Sequence, residues 1–102
     1  MHSRLDEHQL AAGPIGTPGD WRPVSAAGDS PRRMKISATG EIEIRLVVAR
    51  AEVSRFLLPA GAAPVDVPVG PDAQAEVRRS AGNAQATTAA VELLDHQAAL
   101  YQ

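Results

Sequence analysis

The stretch Lys35–Leu58, KISATGEIEIRLVVARAEVSRFLL, is the densest run of large apolar side chains in the chain, and how it is read decides the fold. In its first half Glu41, Glu43 and Arg45 alternate with Ile42, Ile44 and Leu46. That is the period-2 pattern of a strand with one dry and one wet face. Beyond Val47 two readings compete. The strand can continue through a bulge at Val47-Val48, after which Val47, Ala49, Ala51 and Val53 take over the apolar parity. Alternatively the chain turns into a helix with Leu46, Ala49, Val53, Phe56 and Leu57 on one face. A single strand from Glu41 to Leu58 would far exceed the usual strand length, so a short helix is the expectation.

Upstream of this strand, Thr39-Gly40 predicts a hairpin turn with Lys35–Ala38 as partner strand. Downstream, the Pro59–Pro64 segment breaks the pattern and Val65–Val69 alternates again, with Pro68 restricting that strand to a short or edge position. Gly70-Pro71-Asp72 then reads as a helix start, with Pro71 at the first helical position and Asp72 and Glu76 near the positive end of the dipole. Ala73, Val77, Ser80, Ala84, Thr87, Val91, Leu94, Ala98 and Tyr101 follow alternating 4- and 3-residue steps, the form of a heptad seam. They predict a long, Ala-rich amphipathic helix over 71–102, kinked or broken at Gly82-Asn83. Residues 1–33 hold four of the eight prolines and four of the eight glycines with no apolar periodicity, and read as a disordered Pro/Gly-rich arm. Within it Trp21, with Ile15 and Val24, can serve as a short linear anchor for a partner. The expected fold class is therefore α+β. A small sheet or hairpin with a short helix and the long C-terminal helix fills 34–102, behind the arm.

A chain of 102 residues is at most one domain. It has no cysteine, hence no disulfide framework or thiolate metal site. No apolar run approaches the length needed to span a bilayer, and the amino terminus lacks a secretory signal, so a soluble, cytoplasmic protein away from membranes is expected. His2, His8 and His96 have no close ligand spacing, and no metal is expected. The serines lack a nucleophile-elbow context and the glycines form no phosphate-cradling loop. No catalytic constellation emerges, so the expectation is a protein that is not an enzyme, without cofactor or small-molecule ligand.

The net charge of −2 disfavours a nucleic-acid binder, but the charge is unevenly spread. Residues 32–58 are basic, residues 1–31 and 59–102 acidic. The expected function is a non-enzymatic interaction module or complex subunit. It would bind a partner protein or a second copy through Val77, Val91, Leu94, Ala98 and Tyr101 of the helix, with Trp21 as a further anchor. The alternative is a DNA-binding regulator that uses Lys35, Arg45, Arg50 and Arg55.

Met34-Lys35-Ile36-Ser37-Ala38-Thr39-Gly40-Glu41-Ile42-Glu43-Ile44 resembles the opening strand of swapped-hairpin AbrB-like domains, found in transition-state regulators and antitoxins. The resemblance extends over 34–69, with Val48 in the family's short helix, Pro59-Ala60-Gly61 as its turn and Val65–Val69 as its second strand. It implies an intertwined homodimer whose basic residues touch DNA phosphates. Lys35 matches directly, and Arg45 and Arg50 are neighbours of the family's positions. An acidic carboxy-terminal helix would then occupy a toxin.

Overall fold

Alternation, wherever the sequence offers it, has become strand. A computed structural model describes residues 2–24 and 32–94, and all regular structure in them is β. The strands are β1 (His2–Leu10), β2 (Arg22–Pro23), β3 (Arg32–Ala38), β4 (Ile42–Val48), β5 (Ala51–Leu58), β6 (Val65–Val69), β7 (Ala73–Arg79) and β8 (Thr87–Leu94). They form two four-stranded sheets, ordered β1-β8-β3-β6 and β2-β7-β4-β5, with every pairing antiparallel. The pairs β4–β5, β3–β6, β2–β7 and β1–β8 are nested, as if one long hairpin had been folded over on itself. That is the jelly-roll arrangement of two Greek keys.

The inner faces of both sheets share one core. Met34 and Ile36 of β3, Ile42 and Ile44 of β4, Val67 and Val69 of β6, Val77 of β7 and Val91 of β8 are buried in it. Ala73, Ala75 and Ala89 fill the inward positions between them. Such small residues bury little area each, so the core depends on the few branched side chains at roughly 1.5–3 kcal/mol apiece.

The α+β expectation is overturned, and each missing helix has an identifiable reason. Residues 46–58 are not helical. β4 runs to Val48, reverses through Ala49-Arg50 and returns as β5, with Val48 paired to Ala51. Both turn residues have positive φ, 53° and 68°, the type I′ geometry that matches the twist of a hairpin. The chain thus avoids an overlong strand by turning back. A bulge does occur, but on β5. Leu46 pairs with Ser54 and Val47 with Glu52, leaving Val53 as the extra residue.

The helix over 71–102 is replaced by β7, a loop and β8, and the described residues contain no amphipathic helix. Gly70-Pro71-Asp72-Ala73 is a turn closed by Ala73 N–H donating to the Gly70 carbonyl at 3.2 Å, with Asp72 at φ 63°. Proline's fixed φ suits the second position of such a turn as well as the first of a helix. The apparent heptad has a similar origin. A 4-residue step joins co-facial residues on a strand as well as on a helix, so Ala73 with Val77 and Thr87 with Val91 satisfy both. The 3-residue steps, which alone favour a helix, run from Val77 to Ser80, from Ala84 to Thr87 and from Val91 to Leu94, where strands end or begin.

The expected arm is not disordered throughout either. β1 pairs along β8 from His2 to Leu10, and β2 pairs with β7. Thr39-Gly40, expected to turn a hairpin, is a corner between sheets, since β3 and β4 lie in different ones. Val65–Val69 is an edge strand, as Pro68 demands. Among the described residues no helix is long and apolar enough to cross a membrane.

Candidate functional site

Outward positions of the β2-β7-β4-β5 sheet carry charge where the inward ones carry aliphatics. Glu43 and Arg45 of β4 stand in register with Arg78 and Glu76 of β7, so two opposite-charge pairs face each other across the ladder. Arg78 Nε donates to Glu43 Oε1 at 2.7 Å, and Arg45 Nε to Glu76 Oε1 at 2.6 Å. Gln74 Nε2 donates to the second Glu76 oxygen at 3.3 Å. On β5 the bulge at Val53 reverses the parity, placing Glu52 and Arg55 on the same face. Arg55 Nη2 reaches Glu52 Oε1 at 2.7 Å. Longer contacts, Arg45 to Glu52 at 3.7 Å and Arg55 to Glu43 at 3.9 Å, join these pairs into a lattice across three strands. The hydrogen bond from Arg55 holds the Glu52 carboxyl below its ordinary pKa, and Glu52 in turn raises Arg55.

Trp21 lies on this lattice. Its ring centroid is 4.2 Å from the Arg45 guanidinium carbon, 4.4 Å from that of Arg78 and 5.4 Å from that of Arg55. Cation–π attraction of about 0.5–2 kcal/mol per contact fixes the indole against the sheet. Of its expected companions, Val24 is buried in the core, whereas Ile15 is 87% exposed on the preceding loop. The three do not form one anchor.

The rest of the expected partner face is dispersed. Val77 and Val91 are core residues and offer no surface. Leu94 ends β8, opposite Arg33 of β3. Ala98 and Tyr101 lie outside the described residues.

The expected basic residues do not make one basic surface. Lys35 stands on the other sheet, in register with Asp66 and Glu92. Arg45 and Arg55 are bonded to carboxylates. Arg50, at the β4–β5 turn, has no ion-pair partner among the described residues.

At the opposite end of the sandwich, Arg79 is buried and donates to the carbonyls of Ala11, Thr17 and Asn83. Ser80 Oγ donates to Glu41 Oε1 at 2.6 Å, and Asn83 Nδ2 to Thr87 Oγ1 at 2.7 Å. Buried arginines are costly unless their donors are met, and composition carries no sign that Arg79 would be one. The preceding Arg78 faces outward; only strand parity separates the two. Among the described residues no three His, Asp or Glu side chains gather as a metal set.

β5 itself is the site that sequence reasoning missed. It is the edge of its sheet, eight residues long, exposed from Ala51 to Arg55. Val53 is 62% and Leu57 50% exposed, among the most exposed large apolar side chains described. The signal was present as the bulged-strand reading, but the edge position follows from topology alone. No family model, no curated protein and no solved structure matches the chain, and none of these comparisons bears on the likeness of 34–69 to swapped-hairpin domains.

Proposed function

We propose that the protein is a non-enzymatic interaction module that self-associates by antiparallel pairing of β5 with β5 of a second copy. The observation that carries this reading is the long, exposed edge of β5 with Val53 and Leu57 outward. An unpaired edge of this kind is a template for strand addition. A second copy fits better than an unrelated strand because β5 is self-complementary in charge. A two-fold axis near Val53–Ser54 brings Glu52 of each strand beside Arg55 of the other, extending the lattice already present within one chain. The pairing of Arg45 and Arg55 with carboxylates weighs against phosphate binding, because a nucleic acid would have to break those contacts first.

Sedimentation or light scattering over a concentration series tests the proposal. Wild-type protein is expected to shift from monomer to dimer, and Val53→Lys to remain monomeric with its circular dichroism unchanged. A wild type that stays monomeric at about 1 mM, where even weak pairing would register, overturns it. So does a folded Val53→Lys variant that dimerises as wild type does.

A further inference from the structure

At the end of the β2-β7-β4-β5 sheet the β4–β5 hairpin turn meets the Gly70–Ala73 turn that leads from β6 of the other sheet into β7, and between them lies a groove of about 310 Å³. Arg45, Val47, Ala49, Arg50, Asp72, Gln74 and Glu76 line it. Three observations set it apart from an ordinary surface depression. First, Ala49, Arg50 and Asp72, the non-glycine residues given positive φ in the structure, all border it. Asparagine and glycine are the residues that such turns normally take, so Ala49-Arg50 keeps a strained backbone where a relaxed one was available. Strain of this sort gathers where a side chain is needed in place.

Second, Arg50 and Asp72 border one groove from different turns, yet they do not pair with each other or with any described residue. Third, the other two charged residues, Arg45 and Glu76, satisfy each other at 2.6 Å and leave no surplus charge to attract a simple anion or cation. The unmatched charges are thus one guanidinium and one carboxylate on separate turns. Val47 and Ala49 supply a small apolar wall between the polar groups.

We propose that this groove binds a small zwitterion of about dipeptide size, its carboxylate on Arg50 and its ammonium on Asp72. A ligand with both groups uses both free charges at once, whereas an anion or a cation would use one and leave the other opposed. The groove is separate from the pairing edge of β5 proposed above, so binding and self-association can fail independently.

The test is an amide chemical-shift titration of the full chain. The probes are alanyl-alanine, its N-acetyl derivative (carboxylate only) and its carboxamide (ammonium only). Alanyl-alanine is expected to give saturable shifts at Val47, Ala49, Arg50, Asp72 and Gln74. Each blocked derivative should bind about five-fold more weakly or worse, the loss expected when one charge contact is removed. Arg50→Gln should weaken alanyl-alanine and leave the carboxamide unchanged, while Asp72→Asn, which tolerates the same φ, should weaken alanyl-alanine and leave the N-acetyl derivative unchanged. Shifts that do not saturate, or a blocked probe that binds as well as the zwitterion, overturn the proposal. Free alanine run beside the dipeptide separates amino-acid from peptide recognition.

Discussion

The two ends of this sandwich solve the same problem, how to close a sheet, in opposite ways. At one end buried Arg79, Ser80 and Thr87 form a network with half-buried Glu41 and Asn83. Two glycines at this end are closely packed. A Cβ on Gly40 would come within 2.6 Å of Thr87 Oγ1, and one on Gly13 within 2.8 Å of an Arg79 guanidinium nitrogen. Gly16 and Gly19 N–H groups donate to the carbonyls of Ala81 and Arg79, tying the 11–21 loop over that end. At the other end two tight turns carry strained backbone, open to solvent, with Arg50 and Asp72 unpaired among the described residues. One end is saturated with contacts and the other keeps charges available, which is why the first reads as structure and the second as a site.

The largest way to break this contrast is Arg79→Met. It leaves the Ala11, Thr17 and Asn83 carbonyls without their donor, and the expected loss is about 3 kcal/mol or more by urea unfolding. For a domain of this size that is a large fraction of the total stability. A loss below about 1 kcal/mol, no more than one ordinary hydrogen bond, would mean that the network is not what closes this end.

The opposite end should respond with the opposite sign. Arg50→Gly relieves a positive φ at the price of a looser unfolded chain, and a net gain of about 0.5–1 kcal/mol is expected. The same substitution should abolish zwitterion binding in the groove. Stability gained together with binding lost would show that the turn is held for a function; a destabilised variant would show that Arg50 supports the fold.

Glu52→Gln sharpens the comparison least, because its lattice lies at the surface and is screened. The Glu52 pKa is lowered, chiefly by the hydrogen bond from Arg55. Its contribution is therefore fully present above the glutamate pKa of the unfolded chain, and is lost as pH falls through the lower folded value. Unfolding curves of wild type and Glu52→Gln should differ slightly at neutral pH and converge in acid. A difference that persists below the folded pKa would remove the ion pair as its cause.

Some of this was legible in residue order. The alternation of Glu41–Leu46 and of Val65–Val69 identified two strands, and Pro68 located one of them at an edge. β7 was readable by the same rule, since Ala73, Ala75 and Val77 alternate with Gln74, Glu76 and Arg78. It was masked because alanine favours helices intrinsically and because Ala73 and Val77 are spaced to suit either element. β1 was obscured for a different reason. His2–Leu10 has little apolar periodicity of its own, and its backbone is satisfied by β8, whose residues lie far along the chain even at the nearest pair, Leu10 with Thr87. The candidate sites were less legible still. Trp21 meets Arg45, Arg55 and Arg78 only because β2, β7, β4 and β5 lie side by side.

What residue order by itself determined is the local inventory: which short runs can be half-buried strands, where proline and glycine interrupt them, and how little branched aliphatic surface is available for a core. Those depend on side-chain parity and backbone sterics, which act over a few residues. Tertiary structure alone decided that the strands nest into a jelly roll, that Arg79 is buried while Arg78 faces Trp21, and that Arg50 and Asp72 border one groove. The reason is that a strand has no internal hydrogen bonds to complete it. Its partner, and therefore its neighbours and its edge, is chosen by the rest of the chain.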